Sequence, residues 1–223
     1  MVDRIVVGVF STNSYLFSQW KKECIIIDPG GDTEKIIAHM SQKNMKPRGI
    51  VCTHGHIDHI SAIKAIQNYY RKKNIEVPLA VHEYDLHFFG PDAGKIHTES
   101  IAGISEDLLL TMNIEINTIP EPDIILKEGD TLFDSDLTVI HTPGHSPGGI
   151  SLYSESQNFL FSGDTLFFEG IGRTDLPGGD MEILIKSIRE KLIQLPDDTR
   201  VFPGHGPFST IEREREHNPF ITV

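Results

Sequence analysis

Three histidines and an aspartate lie within six consecutive residues, in the segment His54-Gly55-His56-Ile57-Asp58-His59. Imidazole and carboxylate groups are common metal ligands, and core packing gives no reason to collect so many of them. Side chains two apart in an extended loop project to the same side, so His54 and His56 can bind one ion. Asp58 and His59 lie further along and can face a second ion. The spacing therefore predicts a metal site.

The segment lies between a predicted strand and a predicted helix. It follows the apolar run Gly49-Ile50-Val51-Cys52, and apolar residues recur at helical spacing from Ile60 to Tyr70. The ligands are therefore expected on a loop at the carboxyl end of a strand, where open α/β sheets place their binding sites.

Three further candidate ligands, His145, Asp164 and His205, follow predicted strands in the second half of the chain, each next to a glycine that allows a tight turn. Taken alone, His145 or His205 is more typical of a turn residue. Together with the first cluster they make seven ligands, enough for two divalent ions. Imidazole with carboxylate suits zinc, manganese or iron. The other histidines, at positions 39, 82, 87, 97, 141 and 217, are assigned to the surface or to support behind the ligands.

Strands and helices that would position these ligands are predicted in order along the chain. The first half has strands 4–10, 14–20 and 24–28 as an antiparallel meander, a helix from about residue 32 to 45, and strands 49–53 and 77–81. The second half has strands 123–126, 131–134, 137–142, 149–153, 159–163 and 200–202, and helices 180–194 and 209–216. The simplest packing is α+β, with two sheets face to face and helices outside.

Residues 83–123 fit no regular pattern apart from a short helix predicted at 106–112. A long irregular insertion in a compact domain is often a lid or a substrate loop. A surface excursion without a function explains it equally well.

Length and charge restrict the class of protein. The chain has 223 residues, and we expect a single domain over residues 1–223. The net charge of −12 argues against nucleic acid, which needs a basic face. No apolar stretch or N-terminal signal indicates a membrane. The two cysteines, Cys24 and Cys52, lie in apolar runs and are expected to be reduced, in the cytoplasm. The expected partner is a small-molecule substrate, and the oligomeric state stays open.

The ligand motifs together resemble those of the metallo-β-lactamase superfamily. They are Thr53-His54-Gly55-His56-Ile57-Asp58-His59, His141-Thr142-Pro143-Gly144-His145-Ser146, Gly163-Asp164-Thr165-Leu166-Phe167 and Pro203-Gly204-His205-Gly206. The resemblance spans residues 13–205 and implies an αββα sandwich, two facing mixed sheets with the metals at one edge. It implies that His54, His56 and His145 hold the first ion, that Asp58, His59 and His205 hold the second, and that Asp164 bridges them.

Within that superfamily, residues 163–180 resemble the short bacterial glyoxalase II-like proteins, the hydroxyacylglutathione hydrolases. Glyoxalase II hydrolyses S-D-lactoylglutathione, a thioester. Arg173 falls near a basic residue that the family uses to bind glutathione, although an Arg173–Asp175 pair that staples the loop explains it equally. Longer members add a C-terminal helical glutathione-binding domain, whereas seventeen residues follow Gly206 here. A different acyl thioester or an ester therefore stays open.

The resemblance predicts a binuclear metal-dependent thioester hydrolase. Two ions about 3.5–4 Å apart can share a water whose pKa falls to about 7. The resulting hydroxide would attack the carbonyl carbon, with the oxyanion stabilised by a metal and Asp58 orienting the hydroxide. Zinc is the expected metal, with iron and manganese as alternatives.

Other functions fit part of the pattern. By resemblance, a persulfide dioxygenase of the same superfamily uses one iron, at the positions of His54, His145 and Asp164. A lactonase, another ester hydrolase or a phosphodiesterase keeps the chemistry and changes the substrate. A non-catalytic structural metal domain is disfavoured, because structural zinc sites are usually closed four-ligand sets, often with cysteine.

Overall fold

The computed structural model describes residues 1–100 and 119–222, and the helix predicted at 106–112 lies outside them. The chain forms two compact units. The first unit is Met1–Val81 with Leu86–Ile125, and the second unit is His82–Asp85 with Leu126–Val223. The expectation of a single domain over residues 1–223 stays a prediction.

The first unit is built on a six-stranded mixed sheet. Its strands, in spatial order, are β1 (Val2–Val7), β2 (Thr12–Phe17), β3 (Glu23–Ile27), β4 (Lys46–Val51), β5 (Leu79–His82) and β6 (Ile124–Leu126). The first three strands form the predicted antiparallel meander, and β4 and β5 continue the sheet in parallel with β3. The helical elements are α1 (Thr33–Gln42), α2 (Ile57–Ile60), α3 (Ile63–Arg71) and α4 (Ala93–Ser100). The 3₁₀ segment Glu83–Phe88 is divided, with its first three residues in the second unit and the rest in the first.

Burial in the first unit follows the periodicity of the sequence. Strand β3 is buried along Cys24–Ile27, as expected for a strand with neighbours on both sides. Helix α1 buries Ile36, Ile37 and Met40, and α3 buries Ile63, Ile66 and Tyr70. These are the spacings of one helix face, so the predicted inner faces are confirmed.

The second unit has a five-stranded sheet. Its strands are β7 (Leu137–His141), β8 (Ile150–Ser154), β9 (Phe159–Gly163), β12 (Arg200–Pro203) and β13 (Ser209–Thr210), in the spatial order β13-β12-β9-β8-β7. Strands β10 (Leu166–Phe167) and β11 (Gly170–Ile171) form a separate two-stranded ribbon. The helical elements are the 3₁₀ turn Glu155–Gln157, α5 (Met181–Ser187) with a π-helical turn at Ile188–Leu192, and α6 (Ile211–His217).

The predicted boundaries of four elements are wrong for local backbone reasons. The first strand ends at Val7 and not at residue 10, and the second begins at Thr12 and not at residue 14, because Gly8 and Ser11 turn the chain at positive φ (66° and 57°). The helix predicted to reach residue 45 ends at Gln42, before Asn44 at φ 54°. The strand predicted at 131–134 is a single bridge at Thr131 followed by a turn, with positive φ at 133 and 134.

The segment predicted to lack regular structure also needs correction, since α4 lies within it. Both cysteines are buried thiols, and burial raises the pKa of the Cys24 thiol to about 12. Among the described residues, none of the helices is long and apolar enough to cross a membrane.

Candidate metal centre

The first cluster of ligands occupies the loop after β4 and the start of α2, as the sequence predicted. His54 and His56 precede the helix, and Asp58 and His59 lie in its first turn. The ring of His54 lies 4.7 Å from that of His56 and 4.1 Å from that of His59, and all three rings are buried. The four residues, called the first half-site below, are therefore brought together within the first unit.

A buried carboxylate behind the first half-site was missed from the sequence. Asp28 follows β3, and its Oδ2 lies 3.0 Å from Nδ1 of His59. Its Oδ1 accepts a 2.7 Å bond from the Thr53 amide, and its Oδ2 accepts a 2.7 Å bond from the Thr53 hydroxyl. Because a carboxylate only accepts, His59 carries its proton on Nδ1 and presents the Nε2 lone pair.

The same network reaches His54. Since the Thr53 hydroxyl donates to Asp28, its oxygen accepts from Nδ1 of His54, 3.2 Å away. His54 is thus also left with Nε2 as the ring atom that could bind a metal. The sequence did contain a signal for this support. Asp28 is an acidic residue at the carboxyl end of β3, the strand that pairs with β4, and β4 leads into the first half-site.

Asp58 completes the first half-site at a ligand-like separation. Its Oδ2 lies 3.6 Å from Nε2 of His59, too long for a hydrogen bond, and accepts a 3.1 Å bond from the Thr12 hydroxyl. Two atoms that each lie about 2.1 Å from one tetrahedral ion are about 3.4 Å apart. The spacing fits two ligands of a single ion.

Three strand ends supply the remaining candidate ligands, all within the second unit. His145 lies on the connection from β7 to β8, Asp164 follows β9, and His205 follows β12. Strands β9 and β12 are parallel neighbours, so their carboxyl ends place Asp164 beside His205. Oδ2 of Asp164 lies 3.7 Å from Nε2 of His145 and 3.5 Å from Nε2 of His205. We call these three residues the second half-site.

Arg173 supports the second half-site through its main chain. Its carbonyl oxygen accepts a 2.8 Å bond from Nδ1 of His145, which leaves Nε2 as the donor atom to a metal. The guanidinium instead makes a bidentate pair with Asp175, at 2.7 and 2.6 Å, and lowers the pKa of that carboxyl to about 2. This is the Arg173–Asp175 pair that the sequence offered as the alternative to substrate binding. A substrate contact by Arg173 stays a prediction.

Comparison with known proteins identifies the family. A family model described as the metallo-β-lactamase superfamily matches residues 7–205. The chain belongs to this superfamily. Over 219 residues it is 35% identical to the probable metallo-hydrolase YqgX of Bacillus subtilis, covering 98% of this chain and 96% of the relative. Over 223 residues it is 32% identical to the hydroxyacylglutathione hydrolase GloC of Haemophilus influenzae, covering 99% and 97%.

Solved structures show that the superfamily fold is retained. The crystal structure of the BLEG-1 B3 metallo-β-lactamase matches with a TM-score of 0.85 and 38% identity, over 100% of both chains. A crystal structure of TTHA1623 in a di-iron-bound form matches with a TM-score of 0.80 and 33% identity, over 98% and 99%. The predicted α+β, metallo-β-lactamase fold is confirmed, and the protein is a metallo-hydrolase of this superfamily.

The donor set of this metallo-hydrolase fits divalent metals. Both half-sites offer imidazole and carboxylate groups, which suit zinc, iron and manganese. Three of the imidazoles, those of His54, His59 and His145, have Nδ1 engaged by the protein and Nε2 presented, the usual arrangement of metal-bound histidine. The residues of both half-sites are therefore the ones that would hold metal.

Two of the histidines not assigned as ligands are buried, rather than at the surface. His97 donates from Nε2 to the carbonyl oxygen of Phe88 at 2.7 Å, and the Phe88 ring packs edge-on against His56. His97 thus supports the first half-site indirectly. His82 stacks on His141 with ring centres 4.1 Å apart, and burial and that neighbour lower the pKa of His82 to about 4.

Proposed function

We propose that this chain is a binuclear metal-dependent hydrolase that cleaves a small acyl thioester such as S-lactoylglutathione. The observation that carries the proposal is the second half-site, where one oxygen of Asp164 lies at ligand spacing from two imidazoles. A carboxylate so placed can bridge two ions, with His54, His56 and His145 on one and Asp58, His59 and His205 on the other. Membership of the superfamily supports combining the two half-sites in this way.

The substrate is proposed from the relatives. GloC, named a hydroxyacylglutathione hydrolase, is 32% identical over 99% of this chain. The resemblance of residues 163–180 to glyoxalase II-like proteins points to the same substrate class. A thiol leaving group has a pKa of about 8.5, so it departs without a strong acid from the protein.

Each side chain then has a defined task in the proposed reaction. Two bound divalent ions would supply a water that is deprotonated near neutral pH and a Lewis acid for the carbonyl oxygen. Asp58, held by the Thr12 hydroxyl, binds metal and orients the attacking water. Asp28 and Thr53 fix the tautomers of His54 and His59, and the Arg173 carbonyl fixes that of His145.

Zinc is the proposed metal, with iron and manganese as alternatives. The imidazole and carboxylate donors suit all three ions. The di-iron form of TTHA1623, 33% identical to this chain, is the observation that favours iron as the alternative. Elemental analysis of metal-replete protein should approach two ions per chain. A ceiling of one ion, with His59 and His205 not bound to metal in a crystal structure, would reject the binuclear proposal.

A side-by-side assay tests the substrate. Loss of S-lactoylglutathione and uptake of oxygen with glutathione persulfide are followed for protein reconstituted with zinc, manganese or iron. We expect thioester cleavage to be faster than oxygen uptake. Oxygen uptake by the iron form alone, with negligible thioester cleavage in every form, would support the mononuclear iron persulfide dioxygenase instead.

Hydrolysis of a cyclic substrate, a β-lactam or a lactone, is a second candidate function. BLEG-1, named a B3 metallo-β-lactamase, is 38% identical to this chain over its whole length. The same metals and water would open a β-lactam or a lactone, so one member of each class is included in the assay. Turnover of either above that of the thioester would replace the proposed substrate and keep the hydrolase.

A further inference from the structure

Asp85 is a buried carboxylate that is not among the ligands. It lies in the 3₁₀ segment Glu83–Phe88, is 1% exposed, and packs as part of the second unit. Burying a carboxylate is costly unless hydrogen bonds compensate for the lost water. Its oxygens accept two such bonds, from the Ser146 hydroxyl to Oδ2 at 2.8 Å and from the Gly148 amide to Oδ1 at 2.6 Å.

Both donors belong to the loop that carries His145. Ser146 follows that ligand directly, and Gly148 follows two residues later. A Cβ at position 148 would lie 2.5 Å from the Asp85 amide nitrogen and 2.7 Å from its Oδ1, so glycine is needed for the close approach. At its base the loop is closed by a 2.8 Å bond from the Thr142 amide to the Gly149 carbonyl oxygen. Bonds from the Asp180 amide to the Gly144 carbonyl oxygen and from the Ser187 hydroxyl to the Pro143 carbonyl oxygen hold the part before His145, and Asp85 holds the part after it.

We propose that Asp85 is a positioning residue for the metal ligand His145. By holding the loop on the carboxyl-terminal side of that histidine, it keeps Nε2 of His145 facing Asp164, 3.7 Å away. The inference deepens the proposed function, because it assigns the metal affinity of the second half-site, and hence turnover, to a residue that binds neither metal nor substrate.

The chemistry of the clamp predicts an order among variants. A carboxylate accepts on both oxygens, whereas an amide accepts on one and donates from the other end. Asp85→Asn therefore keeps the bond from the Gly148 amide and keeps the contact with Ser146 only if that hydroxyl turns to accept, whereas Asp85→Ala keeps neither bond. Ser146→Ala removes the hydroxyl bond and leaves the bond from the Gly148 amide.

Asp136 provides a matched control in the same unit. Its carboxylate accepts from the Ser154 hydroxyl at 2.9 and 2.8 Å and from the Ser156 amide at 3.1 Å, the same kinds of donor. Ser154 ends β8, whereas the His145 loop precedes that strand, so Asp136 acts at the opposite end. Asp136→Asn thus weakens a similar clamp without disturbing a ligand.

The experiment measures zinc affinity by competition with a chromophoric chelator, and the visible spectrum of the cobalt-substituted protein. We expect Asp85→Ala to weaken zinc binding by about 10–100-fold and Asp85→Asn and Ser146→Ala by less, as for other groups that orient metal ligands. The cobalt spectrum should change for the same variants. Asp136→Asn should stay within about twofold of the parent chain, given that it touches no ligand loop.

Zinc affinity of Asp85→Ala within about threefold of the parent chain would overturn the proposal. An equal loss in Asp136→Asn would also overturn it, since the effect would then follow general stability. If Asp85→Ala does not fold, Asp85→Asn and Ser146→Ala are tested in its place. Their unfolding free energies in urea are measured first and should equal that of the parent chain. Metal affinity needs no substrate, so a failure of the thioester assay leaves this result interpretable by itself.

Discussion

The two half-sites are built in opposite ways. The first is one continuous stretch, His54–His59, delivered by a single strand-to-helix connection. The second is collected from three separate loops, which follow strands β7, β9 and β12 of another sheet. A contiguous ligand set can be recognised as a motif, whereas a dispersed set acquires meaning only once the strands that carry it are paired.

Their supports differ as well. In the first half-site, side chains orient the ligands, through Asp28 and Thr53. In the second, a main-chain carbonyl fixes the ring of His145, and the Asp85 side chain is proposed to hold the loop that carries it. A side-chain support can be removed by substitution, but a carbonyl is kept whatever residue replaces Arg173. The orientation of the imidazole rings should therefore be open to side-chain substitution in the first half-site and not in the second, and the following variants test that difference.

The largest effect is expected from Asp164→Ala, which removes a ligand and not a support. Because its Oδ2 lies near both His145 and His205, the loss should disturb both proposed ions and cost at least about 10³-fold in kcat/KM. His205→Ala should mainly empty one of the two proposed metal sites. Metal content and turnover of the two variants are compared directly, and parental values for Asp164→Ala would show that it does not bridge.

Asp28→Asn tests the side-chain support. The amide leaves either His59 or the Thr53 amide without its acceptor, so zinc affinity should fall by about 10–100-fold. Asp32→Asn is the control, since Asp32 accepts a 3.3 Å bond from the Gly8 amide at an exposed position. Chelator competition measures both, and equal affinities for the two variants would contradict the role of Asp28.

Arg173→Ala tests the main-chain support. The carbonyl remains, so we expect unchanged zinc content and a kcat within about twofold of the parent chain. If the guanidinium exchanges Asp175 for a substrate carboxylate, KM for S-lactoylglutathione should rise by several-fold. Asp175→Asn releases the guanidinium without removing it and serves as the control. A fall in zinc content would mean that the side chain, and not the carbonyl, supports His145.

The smallest effect concerns His82, outside both half-sites. Its pKa is lowered to about 4, so below its ordinary value near 6.5 the unfolded chain binds the extra proton. Stability from this group is present above pH 6.5 and is lost towards pH 4. His82→Gln should therefore reduce the fall in unfolding free energy between about pH 7 and pH 5 by about 1–2 kcal/mol. Identical pH dependence in urea titrations of the metal-free proteins would contradict this.

The sequence predicted the candidate ligands better than it predicted the residues that support them. The first half-site followed from a dense polar run between an apolar strand and an amphipathic helix. The fold class followed from periodicity and from the resemblance, and the family match confirms it. Asp28 and Asp85 escaped because an isolated acidic residue near a strand end is indistinguishable from a turn residue until its partners are placed. The Arg173 carbonyl could not be found, since every residue carries one.

The bond from the Thr53 amide to Asp28 has a use in spectroscopy. The amide donates at 2.7 Å to one oxygen of the carboxylate whose other oxygen holds Nδ1 of His59. A change of charge on that imidazole alters the carboxylate and therefore the strength of the amide bond. The nitrogen–proton resonance of Thr53 should consequently shift as the ring gains or loses a cation, giving a reporter of metal loading that needs no chromophore and no substrate.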